Sequence, residues 1–132
     1  LLAAHNRYRA EVGVPPLVWS EELATSAQAW ARDLASRGSF EHSSTPHGEN
    51  LWMGTSGRFS STRMVELWGE EKRDYVHGIF PKVTTGGVVG HYTQMVWRST
   101  LRVGCGLSSS SGQDILVCHY DPPGNFYGKA PY

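Results

Sequence analysis

Ile115-Leu116-Val117-Cys118 is an apolar run without polar alternation, the pattern of a strand covered on both faces rather than one lying against water. A second strand-like run from Arg102 to Leu107 precedes it. Ser108, Ser109, Ser110, Ser111, Gly112 and Gln113 separate the two, so the C-terminal part reads as a hairpin with a loose tip. A buried hairpin needs layers on both sides, and the rest of the chain must supply them.

Helical periodicity does so. Leu1, His5, Tyr8 and Val12 recur at steps of four, three and four, one face of a helix that ends near Gly13 and Pro15. Ser20 suits an N-cap, and Glu21 and Glu22 suit the positive end of a first turn. Leu23, Ala27, Trp30, Ala31 and Leu34 continue as an apolar stripe, and Gly38 closes this second helix. Residues 39 to 62 read as loop with one brief strand at Asn50-Leu51-Trp52-Met53. A third helix is expected over about 62 to 75 and a compact helical turn over Gly90 to Trp97, with a glycine-containing loop from Val76 to Val89 between them. Helices followed by a doubly covered sheet imply an α+β fold. It is a three-layer α-β-α sandwich with a small, mainly antiparallel central sheet, in one domain over 1–132.

Twelve Lys and Arg balance twelve Asp and Glu, so no single-sign field exists to hold a polyanion, and nucleic acid is not an expected partner. No apolar run approaches the length of a transmembrane segment. The chain opens at Leu1 without an initiator Met or a basic leader, and the expectation is that a targeting segment has been cut away. Cys105 and Cys118 fall on the two hairpin strands. A turn near Ser111 or Gly112 sets them opposite each other, which makes a cross-strand disulfide geometrically reasonable. Two buried reduced thiols packing as small hydrophobes are the alternative.

Chemistry-bearing residues are scattered. Met64, Trp68, Glu71 and Tyr75 share the buried stripe of the third helix, so Glu71 needs a donor, a cation or a proton. His91 opens the fourth helix with Gln94 on its face, and His42 and Glu49 come from the polar loop. His5 reads as a hydrogen-bonded packing residue, and His47 and His77 as solvent-facing. Two imidazoles and two carboxylates suit zinc or another borderline divalent ion, yet no H-E-x-x-H or similar close pair is present. No G-x-S-x-G elbow or phosphate-binding glycine pattern occurs either.

Gly90-His91-Tyr92-Thr93-Gln94-Met95-Val96-Trp97 and Ile115-Leu116-Val117-Cys118-His119-Tyr120-Asp121-Pro122-Pro123-Gly124-Asn125 closely resemble the two hallmark motifs of the CAP superfamily. That family comprises the cysteine-rich secretory proteins, antigen 5 and the pathogenesis-related 1 proteins. The likeness extends through His5-Asn6-Arg7-Tyr8-Arg9, Pro16-Leu17-Val18-Trp19, Gly48-Glu49-Asn50-Leu51 and Trp68-Gly69-Glu70-Glu71. The resemblance implies an α-β-α sandwich, usually secreted, with a central cleft of two histidines and two glutamates able to hold a divalent metal. Matched motif by motif these are His42, Glu49, Glu71 and His91, with zinc the first candidate and not essential to the fold. Gln94 and Tyr75, on the same helix faces, are expected to line that cleft. The chain departs from plant and venom members in having two cysteines rather than about six, and in carrying His119 where Asn is common. It ends at Tyr132 just after the second motif, so the cysteine-rich extension of some animal members is expected to be absent.

The function implied is that of a secreted, monomeric binding protein that recognises a sterol, a fatty acid or a protein partner. The Val76–Val89 loop is either a flap over an apolar ligand or an ordinary surface loop packing inward. The alternative is a metal-dependent, protease-like hydrolase with Glu49 or Glu71 as general base. A third reading is a tetrad held by imidazole to carboxylate hydrogen bonds with no ion.

Overall fold

β-Strands and helices assemble around one four-stranded sheet. In the computed structural model, which describes residues 1–132, the order is α1 (Leu2–Glu11), β1 (Val18–Trp19), α2 (Glu21–Arg37), β2 (Gly48–Thr55), α3 (Ser61–Gly69), α4 (Gly90–Val96), β3 (Arg102–Ser110) and β4 (Gln113–Asp121). A 3₁₀ turn over Glu70–Asp74 follows α3. The strands run β1-β3-β4-β2 across the sheet. Only β1 with β3 is parallel, and the other pairs are antiparallel.

β4 lies inside the sheet, which accounts for its unbroken apolar run. Leu116, Cys118 and Tyr120 join one core with Tyr8, Met64, Trp68, Tyr92 and Met95 from α1, α3 and α4. Ile115 and Val117 point the other way, onto Ala27, Ala31 and Leu34 of α2. The period-two alternation of a strand thus divides one apolar segment between two cores. The expected α-β-α sandwich with a small, mainly antiparallel sheet is the architecture observed.

α2 is bounded as its residues require. The Ser20 side chain accepts from Leu23 N, and Gly38 takes the left-handed conformation at φ 64°. The small stripe of Ala27 and Ala31 lets the helix lie very close to the sheet. A Cβ at Gly104 would stand 2.1 Å from Ala24 N, and one at Gly106 would stand 2.3 Å from Gln28 Cα. The two glycines of β3 therefore set the height of α2 above the strands.

The structure sharpens or changes four local features. The third helix stops as an α-helix at Gly69 and tightens into the 3₁₀ turn, at a glycine, whose helix propensity is low and whose missing side chain makes room for the Tyr8 ring. The hairpin tip is not loose: the strands extend through Ser110, and Ser111 and Gly112, at φ 52° and 78°, form a two-residue turn of the kind that matches strand twist. Val18 and Trp19 are a short edge strand rather than only a connection. The Val76–Val89 loop is pinned inward at buried Val83 and Val89, while Val76, Ile79 and Val88 stay exposed. It is tied by Val76 N to Val83 O and by two backbone bonds between Phe80 and the segment Gly128–Lys129.

Candidate functional site

Cys105 and Cys118 stand opposite in the β3–β4 register and are joined as a disulfide. One residue further along β4 the chemistry changes, because His119 faces Glu49 across the β2–β4 pair. Glu49 accepts four hydrogen bonds. Oε1 takes one from His42 Nδ1 at 2.7 Å and one from Ser43 N at 2.9 Å. Oε2 takes one from Ser43 Oγ at 2.6 Å and one from His119 Nε2 at 2.8 Å. Burial pushes this carboxyl upward, but the donors from His119, Ser43 and His42 outweigh it and hold the group at about 2, ionised throughout the neutral range.

The second carboxylate is built the same way. Glu71, in the 3₁₀ turn, accepts from His91 Nδ1 at 2.7 Å and from Tyr92 N at 3.0 Å. His91 stacks on Trp68, with ring planes 5° apart. The buried acid thus finds its donor on α4, in part through a backbone amide. With Nδ1–H donated to a carboxylate, Nε2 of His42 and of His91 is the bare nitrogen of the neutral ring, an assignment made from the hydrogen-bond partners.

Both imidazoles line one cleft of about 270 Å³, together with Glu49, Asn50, Gly90 and Asn125. Asn50 donates to His91 O and to the Tyr120 hydroxyl, which also meets His5 Nε2 at 2.7 Å. His5 is the fully buried packing histidine, and burial lowers its pKa to about 4. Asn125, at φ 58°, donates to Gly90 O and accepts from Thr93 Oγ1, fixing the start of α4. The far end of α4 is held by Arg9. This guanidinium is 1% exposed, donates to Pro15 O, Met95 O, Trp97 O and Thr100 O, and is lowered by burial to about 10.

The four residues matched to the family cleft come together as two imidazole–carboxylate pairs. No group of three or more His, Cys, Asp or Glu side chains is arranged around a single point for an ion. Glu71 stands behind His91 rather than on the cleft wall. Gln94 and Tyr75 do not line the cleft. Gln94 is one turn deeper in α4, where it donates to Thr100 Oγ1 and accepts from Gly124 N. Tyr75 follows the end of the α-helical stripe, meets Tyr92 edge-on and Tyr132 at a tilt, and pairs with His77. Asn50 and Asn125 take their place. Asn125 had a signal in its turn motif, whereas Asn50 had none.

The fold agrees with the comparisons. Residues 2–120 match the family described as CAP, the cysteine-rich secretory protein family, and the chain belongs to it. Pathogenesis-related protein 1C of Nicotiana tabacum is 45% identical over 132 residues, which is 99% of this chain and 78% of that protein. Pathogenesis-related protein 1 of Arabidopsis thaliana is 42% identical over 130 residues, 98% of this chain and 78% of that protein. Among solved structures, NaASP2 with Zn²⁺ superposes with a TM-score of 0.81 at 27% identity, covering 99% of this chain and 82% of that one. A hookworm platelet inhibitor shares the fold at TM-score 0.81 and 23% identity, covering 99% of this chain and 71% of that one.

Proposed function

We propose that this is a secreted CAP binding protein whose cleft takes a divalent cation, zinc first, through Nε2 of His42 and His91, and which recognises a sterol, a fatty acid or a protein partner. The observation that carries the reading is the pair of carboxylate-anchored imidazoles on one cleft wall. Such anchoring fixes the tautomer and ring orientation of a metal-binding histidine and raises its basicity. Glu49 and Glu71 then act through the rings. Zinc, when bound, supplies Lewis acidity and a charge for an anionic group of a ligand.

Secretion is supported by the disulfide and by the family. Apolar recognition is supported by exposed Val76, Ile79 and Val88 on the 76–89 loop and by Phe126 and Tyr127 beyond it. Binding is favoured over metal-dependent hydrolysis because neither carboxylate suits a general base. Glu49 is held at about 2 with four donors already on it, and Glu71 lies behind His91.

Calorimetric titration with zinc chloride tests the cation site. Wild-type protein should bind, and His42→Ala and His91→Ala should each weaken binding by about tenfold or more. Unchanged heats in the double variant would sink the reading. Fluorescent sterol and fatty-acid probes, with and without zinc, test the ligand class.

A further inference from the structure

On the other side of Glu49 from the cleft, its contact with His119 continues to a hydroxyl. His119 Nε2 lies 2.8 Å from Glu49 Oε2, and His119 Nδ1 lies 2.7 Å from Ser26 Oγ. The three residues come from β2, β4 and α2 and are brought together by the close seat of α2 on the sheet. The geometry points to a serine, histidine and glutamate hydrolytic site that shares Glu49 with the cleft but opens on a different groove, with Ser26 as nucleophile toward short-chain acyl esters.

Each part has the role this constellation requires, and such constellations are recognised by geometry rather than by sequence position. Glu49 is 5% exposed at its side chain and takes Nε2–H at 2.8 Å, which fixes the tautomer. Nδ1 is then the accepting nitrogen of the neutral ring and faces the Ser26 proton. Leu23 O, 3.0 Å from Ser26 Oγ, is the competing acceptor. Ser26 is half-buried and lines a groove of about 430 Å³ between α2 and residues 43–45. Ala29 and Trp30 offer apolar surface for a short acyl chain, and Ser44 and Thr45 bring hydroxyls for a developing oxyanion. His119 is almost wholly buried at 3% side-chain exposure, so its ring is held in place by the strands on either side of it.

The reaction balances with water as the only co-reactant. Ser26 Oγ bonds to the ester carbonyl carbon while its proton passes to His119 Nδ1. The carbon to alkoxy-oxygen bond breaks, and the leaving alkoxide takes that proton. Water then attacks the acyl-serine, gives a proton to Nδ1, and the acid departs as Ser26 Oγ recovers it.

The test uses the intact protein with p-nitrophenyl acetate in the presence of EDTA, and a fluorophosphonate probe located by peptide mass spectrometry. The expected result is a single label on Ser26 and hydrolysis that EDTA leaves intact. Ser26→Ala should fall to the buffer rate, and His119→Asn should lose about 100-fold or more. Ser36→Ala, further along α2, should match the wild type. Thermal melts establish that each variant is folded. Label on another residue, hydrolysis surviving in folded Ser26→Ala, hydrolysis abolished by EDTA, or neither label nor hydrolysis in the wild type would each overturn the assignment.

Discussion

Glu49 and His119 are directly opposite in the β2–β4 register, and the imidazole Nε2 donates to the carboxylate at 2.8 Å. Both side chains are 5% exposed or less. The pair therefore links the cleft to α2, because Glu49 also holds His42 at the cleft while His119 also meets Ser26 of α2.

Removing the imidazole leaves a buried carboxylate one donor short. His119→Leu should lower stability by about 2 kcal/mol, the scale of a hydrogen bond to a charged group. It should also raise the Glu49 pKa from about 2. His119→Asn, which keeps a donor, should cost less. Urea unfolding and carboxyl chemical shifts against pH measure both effects, and a His119→Leu protein as stable as the wild type would remove the pair from the stability account.

Acid should unfold the protein in two stages. His5 is lowered from 6.5 to about 4 by burial, so between those values the unfolded chain binds a proton that the native state does not. Stability then falls as pH drops through that window, by about 3 kcal/mol in all. Glu49, lowered from 4.5 to about 2, adds a second loss as pH drops from 4.5 toward 2, where the unfolded carboxyl is protonated and the native one is not. Urea midpoints measured down this range should show both slopes. His5→Gln should flatten the upper one, and a wild-type midpoint constant from neutral pH to about 4 would contradict it.

Glu71→Gln isolates the anchoring of His91. The amide nitrogen, a donor, replaces one of the two oxygens that accept from His91 Nδ1 and Tyr92 N, so the charge-assisted anchoring of the ring is lost while the packing volume stays. Zinc affinity is expected to fall about 10-fold to 100-fold. Titration calorimetry reads the change, and equal affinity would mean that Glu71 serves only the α4 backbone.

Legibility in the sequence followed the range of the interactions. β4 and α2 were readable because a doubly covered strand and a capped apolar stripe are local patterns. The third helix keeps helical turns over nearly its whole expected span, but the change to 3₁₀ geometry after Gly69 leaves no mark in an apolar periodicity. The helix-face argument isolated Glu71, and long-range folding supplied its partners. Gln94 and Tyr75 were misplaced because a shared helix face does not fix depth. Ser26 and His119 were invisible as a pair, since one is a helix serine and the other a strand residue 93 positions away.

Arg9 is the main charge the sequence did not flag. Four backbone carbonyls, from Pro15, Met95, Trp97 and Thr100, accept from it in a site without a carboxylate. Arg9→Met should take a buried donor from each of these carbonyls, of which Trp97 O still has Thr100 N, and destabilise by about 3 kcal/mol or more. Arg9→Lys should recover only part of the loss, because an ammonium cannot reproduce the planar fork. Denaturant unfolding of the two variants decides it: equal stability of Arg9→Lys and wild type would show that charge alone suffices.

Gly104 and Gly106 should be the most sensitive glycines in the molecule. A methyl group at Gly104 meets the backbone of Ala24 at 2.1 Å, and one at Gly106 meets the backbone of Gln28 at 2.3 Å. Neither contact is the movable end of a side chain, so α2 must lift from the sheet. Gly104→Ala is expected to cost about 3 kcal/mol or more. It should also carry Ser26 away from His119, since their 2.7 Å contact depends on the height of the helix. Gly78→Ala, whose nearest neighbour at 3.5 Å is an ordinary contact, should leave the melting temperature nearly unchanged. Thermal melts of the two variants provide the comparison, and similar values for both would show that α2 does not rest on β3 as closely as its glycines permit.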